Sequence, residues 1–305
     1  MQQSMRSVAT GRLARAIAFA CWVAIGTGAA RADVAEVEPN DSTATATALP
    51  AGEVGVGAIA PIGDHDVWAV SGAQVGFQIF ALVETAESTT GDTDAILVAR
   101  DANGAQIAQD DNDGPGQAPA LGGVAVTIAG DVFYEISDLN DDGTISPYRI
   151  FQLVADPAAA VGETEPNDTA AQATPVEPGS LANGTISPDG DVDFFSVSLT
   201  AGQRLVAILD RDPHKTATNL GSLIDILDTD GTTVLAAGDA VSGDVHAVGP
   251  ANAPTDGSYY VRVKKSSGTG NDYRVAFLTA PEADALASAL AAIGALSAFR
   301  RGRRS

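Results

Sequence analysis

The chain has 305 residues, a formal net charge of −22 and one cysteine. That charge excludes a nucleic-acid partner, whose phosphates demand a basic face, and argues equally against an anionic membrane surface. The cysteine, Cys21, lies among the first 32 residues, so the remainder has neither a disulfide nor a thiol nucleophile.

In chain order, residues 1–32 read as a secretory signal peptide. Arg6, Arg12 and Arg15 lead an apolar run from Ala16 to about Gly28, and Ala30-Arg31-Ala32 fits a small-residue cleavage site. The run is short for a membrane span, which needs roughly 20 residues; a retained anchor is the alternative. At the other end, 281–305, an apolar stretch from about Ala285 to Phe299 precedes four arginines. Basic residues flanking an apolar helix tend to stay cytoplasmic, so such a tail holds an exported chain transiently at the membrane. An amphipathic surface helix with Leu286, Leu290 and Ile293 on one face is the alternative. With both ends set aside, nine basic residues face 37 acidic ones, a net −28. A strongly acidic exported chain solvates itself or binds cations.

Between these ends the chain repeats itself. EVEPND begins at Glu36 and ETEPND at Glu163, 127 positions later. Gly57, Gly63, Asp64, Asp66, Asp101 and Gly104 recur at that offset as Gly184, Gly190, Asp191, Asp193, Asp228 and Gly231. Further on Tyr148-Arg149 matches Tyr273-Arg274. A constant spacing of this kind marks duplication. Each copy reads as short alternating strands, DVWAV, VGFQIFALV, VAVTIA and VFYEIS in the first, DFFSVSL, RLVAILD, YYVRV and YRVAFL in the second. DANG at Asp101 and DTDG at Asp228 have hairpin-turn chemistry. The fold expected is therefore all-β: two tandem antiparallel β-sandwiches of jelly-roll type over 33–156 and 163–280, with a short C-terminal apolar helix beyond. The proline- and alanine-rich stretch ADPAAAVG from Ala155 supplies a linker over 157–162 and reads as a loose joint.

In an extended chain Glu36, Glu38 and Asn40 project to one side, with Pro39 preserving the alternation and Asp41 at the turn. Crowded carboxylates repel, and one takes a proton unless a cation intervenes. Calcium suits them, since it takes six to eight hard oxygens. Asp64 and Asp66 are placed to complete the first ligand set. The second set is Glu163, Glu165, Asn167, Asp168, Asp191 and Asp193, with Asp189 as a competitor. One calcium ion per domain then ties the lead-in segment to its sandwich and stiffens the joint. The competing reading is an Asx turn or helix cap with the glutamates facing water.

This order of motifs resembles the bacterial pre-peptidase C-terminal domain: E-x-E-P-N-D, G…D-x-D-aromatic, D-x-[DN]-G, an aromatic pair, then a closing tyrosine strand. The resemblance covers both copies. It implies β-sandwich modules that accompany secreted peptidases, related to the collagen-binding domains of collagenases, with calcium at the hexapeptide. The C-terminal segment resembles a PEP-CTERM sorting signal, although it reads Pro281-Glu282-Ala283, which implies an exosortase as processing partner beside signal peptidase.

Other signals are weaker. DLNDDG at Asp138 matches half an EF-hand loop, but Arg149 stands where the bidentate glutamate belongs, so an acidic hairpin loop is expected. DDNDG at Asp110 reads as a loop with at most weak cation affinity. His65, expected to face outward, His214 and His246 occupy unmatched positions. Trp68, Phe194, Phe195 and Tyr260 fall on core-facing strand positions. The expectation is a non-catalytic, secreted or cell-surface calcium-binding protein with a binding or structural role toward an extracellular protein or polysaccharide. An accessory partner of a secreted protease and a carboxylate-based glycoside hydrolase are the alternatives.

Overall fold

The computed structural model describes residues 33–85, 94–218, 220–238 and 245–281. The expected signal peptide, and the sorting tail and apolar helix beyond Pro281, lie outside the described residues. No helix among the described residues is long and apolar enough to cross a membrane.

The first copy forms two facing five-stranded sheets. One runs in the order β1 (Val34–Ala35), β3 (Gly55–Ile59), β10 (Ile145–Ala155), β5 (Gln78–Thr85), β8 (Ala120–Ala125). The other runs β2 (Thr47–Ala48), β4 (His65–Ala73), β9 (Gly130–Asp138), β6 (Ala95–Arg100), β7 (Gln106–Asp110). The second copy repeats both orders. Its sheets are β11 (Val161–Gly162), β13 (Ser180–Thr185), β20 (Asp272–Ala280), β15 (Arg204–Asp210), β18 (Val245–Asn252), and β12 (Thr174–Val176), β14 (Val192–Leu199), β19 (Gly257–Gly268), β16 (Leu220–Leu227), β17 (Val234–Ala237). The chain is all-β, built as two sandwiches.

The sandwiches are not purely antiparallel. β1 pairs with β3 and β2 with β4 in parallel, as do β11 with β13 and β12 with β14. The cause is topological. The hexapeptide carries the chain from β1 in one sheet to β2 in the other, and residues 60–64 carry it from β3 to β4 between the same two sheets. Two crossovers therefore lie side by side at one edge, running the same way, and both are acidic.

DANG and DTDG close hairpins between β6 and β7 and between β16 and β17. Gly104 and Gly231 there adopt φ of +79° and +68°, a region glycine enters without a Cβ clash. The expected hairpin at DLNDDG is instead a loop between sheets, joining β9 to β10. Asp138 stabilises it by accepting from the backbone N–H of Asp142 at 2.9 Å and Gly143 at 3.1 Å.

Each sandwich has its own core. Trp68, Ile79, Leu97, Tyr134, Tyr148 and Ile150 fill the first, and Phe195, Leu205, Ile224, Tyr259, Val263 and Phe277 the second. A third cluster joins them: Phe80, Leu82, Phe151 and Leu153 of the first pack with Leu181, Val206, Ile208 and Leu278 of the second. β5 and β15 are thus covered on both faces. Burying each large side chain stabilises by roughly 1.5–3 kcal/mol, so eight of them outweigh the freedom of a six-residue linker. The loose joint expected from the linker is a packed interface. A short 3-10 turn at Pro157–Ala159, capped by the Asp156 side chain, crosses it.

Candidate metal centres

The two crossovers bring the hexapeptide and the D-x-D segment together in each sandwich. Carboxylate oxygens of Glu36, Glu38 and Asp66 lie within 4.8 Å of one another, and so do those of Glu38, Asp41 and Asp64. In the second sandwich the triads are Glu163, Glu165, Asp193 and Glu165, Asp168, Asp191. Glu38 and Glu165 belong to both triads of their cluster. The inner acids, Asp66 and Asp193, are fully buried, whereas Glu38, Asp41, Glu165 and Asp168 are exposed. Asp189 is exposed, 3.5 Å from Lys265, and lies in neither triad.

Backbone amides hold the acids in place. Asp64 accepts from Ala60 N–H at 2.9 Å, and Asp191 from Ser187 N–H at 2.7 Å. Glu36 accepts from Ala58 N–H at 3.1 Å, and Glu163 from Thr185 N–H at 2.6 Å. The carbonyls of Asn40 and Asn167 accept from Val67 and Phe194 N–H, each at 3.0 Å, which pins the hexapeptide onto β4 and β14. The hexapeptide is not the continuous extended run expected. Strand pairing stops at Ala35 and Gly162, and both Glu-Pro peptide bonds are cis. The acids converge because the two crossovers are adjacent.

Two residues that sequence reasoning left without a role, a tyrosine and a glycine, complete each centre. Tyr148 donates its hydroxyl to Asp66 Oδ2 at 2.6 Å, and Tyr273 donates to Asp193. Gly57 and Gly184 stand opposite these tyrosines in register. A Cβ on Gly57 would lie 2.2 Å from Glu36 Oε2, and one on Gly184 2.2 Å from the Tyr273 ring. Glycine is therefore required for the glutamate and tyrosine to reach the cluster. The signal was present: both residues recur among the matched positions.

Burial, aided by Glu36 alongside and resisted by the Tyr148 hydroxyl, pushes Asp66 up to about 9. Burial likewise pushes Asp193 up to about 8, against the Tyr273 hydroxyl and with the charge of Glu163. Glu38 and Glu163 are also raised, by burial first and by neighbouring carboxylates after it. Such a cluster holds either protons or a hard cation. The donor set fits the cation. Asn167 is fully buried yet neither amide atom completes a hydrogen bond, and Asp193 Oδ1 also lacks a partner. With its oxygen inward, Asn40 faces Glu38 and Asp66 as one more acceptor; with its nitrogen inward it donates to them at 3.1 and 3.2 Å. A cation between these groups favours oxygen inward.

The other flagged groups sit elsewhere. His65 lies on the outer face, 2.9 Å from Glu135 and 3.3 Å from Asp141. Trp68 and Phe195 are fully buried and Phe194 nearly so, while Tyr260 is half-buried and meets Phe194 edge-on. Asp110 accepts from Asp113 and Ala120 N–H at 2.9 and 2.7 Å, which shapes its own loop.

No curated protein matches the chain. Among solved structures, the chain is similar to the pre-peptidase C-terminal domain of collagenase from Bacillus anthracis, at 16% identity over 37% of this chain and 98% of that one, with a TM-score of 0.29. The CUB1-EGF-CUB2 domains of rat MASP-1 align at 9% identity over 76% of this chain and 99% of that one, with a TM-score of 0.22. Scores this low carry no structural argument. Residues 191–265, from the second centre's Asp191 through most of β19, match the bacterial pre-peptidase C-terminal domain family.

Proposed function

We propose that this is a non-catalytic exported protein whose two sandwiches each bind calcium through the acidic crossovers. Glu36, Glu38, Asn40, Asp41, Asp64 and Asp66 hold the ion in the first sandwich. Glu163, Glu165, Asn167, Asp168, Asp191 and Asp193 hold it in the second. The ion neutralises clustered carboxylates and fastens the lead-in segment to the sandwich edge. The observation that carries this reading is the duplicated, all-oxygen donor set around a buried Asn167 amide that completes no well-formed hydrogen bond. The shared glutamates leave room for a second, overlapping ion in each cluster, which the stoichiometry reads.

The family match over residues 191–265 supports a binding or structural role at the cell surface or matrix, toward an extracellular protein or polysaccharide. An accessory partner of a secreted protease is the second reading, favoured by the same match. The hydrolase reading needs a free acidic pair lining a cleft. The acids flagged outside the centres, Asp110 and Asp138, are instead engaged in capping their own loops.

Calorimetric titration with calcium tests the centre: saturable binding that Asp66→Ala and Asp193→Ala each reduce supports it, and no heat in the unaltered chain removes it. Pull-down from culture medium with and without chelator then separates a calcium-dependent partner from a purely structural role.

A further inference from the structure

The Tyr-Arg dipeptide at 148–149 and 273–274 sits on β10 and β20, where alternation sends neighbouring side chains to opposite faces of the sheet. Each tyrosine points inward to its carboxylate cluster. Each arginine points outward, to the joint between the sandwiches. Arg149 Nε donates to Asp33 Oδ2 at 3.2 Å, and its Nη1 lies 3.6 Å from Glu84 Oε2. Glu84 also pairs with Arg204 of the second sandwich, whose guanidinium lies 5.8 Å from the centre of the Phe151 ring. At the other end of the joint, Arg274 donates to Asn183 at 2.8 Å and to Gln78 of the first sandwich. The Asn183 carbonyl accepts from Glu163 N–H at 3.1 Å.

The joint is reciprocal. Gln78 and Arg204 open β5 and β15, and Glu84 and Asp210 stand beside Arg149 and Arg274 in register. The same strand positions of both copies meet one another, as in a two-fold dimer. Each lead-in segment reaches this joint as well as its carboxylates: Asp33 immediately precedes β1, and Glu163 follows β11.

We propose that the two Tyr-Arg pairs couple the carboxylate clusters to the joint, so that a divalent cation bound at one cluster tightens both the joint and cation binding at the other. This rests on the calcium reading above. The cation fastens the lead-in segment, which presents Asp33 to Arg149 in one copy and the Glu163 N–H to Asn183 in the other. The arginines are thereby held against Glu84 and Gln78, and thermodynamic reciprocity carries the effect in both directions.

Hydrogen exchange of the full chain with and without calcium tests this without any substitution. Exchange should slow in β8 and β18, joint strands that contribute no carboxylate to either cluster. Calcium titrations supply the second measurement. Chains with one centre disabled, by Glu38→Gln with Asp64→Asn or by Glu165→Gln with Asp191→Asn, should each bind about 5-fold more weakly than the unaltered chain. Adding Glu84→Gln should erase that difference. Unchanged exchange in β8 and β18, or affinities indifferent to the other centre, overturns the coupling and leaves calcium binding intact. An unaltered chain that binds no calcium overturns both.

Discussion

In the first cluster the Tyr148 hydroxyl stands between two partners: it receives the Trp68 indole N–H at 2.8 Å and donates to Asp66 at 2.6 Å. In the second, Phe195 takes the place of Trp68 and meets Tyr273 edge-on at 6.4 Å, offering no donor. Tyr273 donates to Asp193 and lies 3.5 Å from Glu163 instead. The buried asparagines differ too. Asn40 reaches the Thr47 hydroxyl at 3.5 Å, while the Asn167 amide completes no well-formed hydrogen bond and has the Glu163 carboxylate beside it. Identical donors thus rest on different supports, and the first cluster is better ordered without an ion. The second depends more on whatever fills it.

Chelation should give the largest effect. A centre holding calcium at about 100 times its dissociation constant contributes about 2.7 kcal/mol, and more where it binds more tightly, so melting should fall by roughly 10 °C when chelator removes both ions. Disabling only the second centre should account for the greater part of that fall. Equal halves would remove the contrast between the clusters.

Gly57→Ala and Gly184→Ala come next, each costing about 1–3 kcal/mol by overpacking at its cluster. The Cβ at Gly184 comes to 2.2 Å from both Cζ and the hydroxyl of Tyr273, whereas the one at Gly57 comes nearest to the Glu36 carboxylate and stays 2.6 and 2.5 Å from the same two atoms of Tyr148. Gly184→Ala should therefore melt lower, as denaturation followed by circular dichroism will show.

Tyr148→Phe strands both the Trp68 N–H and an Asp66 oxygen, at about 1–3 kcal/mol for an unmet buried group, whereas Tyr273→Phe strands Asp193 and gives up only a long 3.5 Å contact to Glu163. The first should be the more destabilising in chelator. A reversed order would mean that the indole bond contributes nothing.

The smallest contrast is in pH. Without calcium, a folded-state proton on Asp66 adds stability that is fully present below the unfolded value of 3.8 and is lost as pH rises to about 9. For Asp193 the same loss is complete by about 8. Calcium must displace these protons, so its affinity at both centres should strengthen as pH rises toward those values. Titrations of singly disabled chains at pH 6, 7, 8 and 9 measure this.

Two sandwiches were legible because each copy writes its strands in alternation and its turns in glycine and aspartate, all at one offset. The acids of the centres were legible for a related reason: carboxylates packed into six residues need a partner wherever they fold. The supporting tyrosines were harder to assign, because Tyr148 and Tyr273 lie over 100 positions from the hexapeptides they serve, and only the register of β3 with β10 and of β13 with β20 brings them there. The joint was read as loose from the proline and small residues of its linker, and QIFALV in β5, apolar on both faces, does not say what covers its second face.

Local chemistry therefore determined the repeat, the strands and the oxygen donors, since these depend on residues near one another in the chain. Which crossovers lie side by side, what covers the outer faces of β5 and β15, and where each Tyr-Arg pair points were decided by tertiary packing. Apolar burial is non-directional, so residues alone do not choose the surface against which they close.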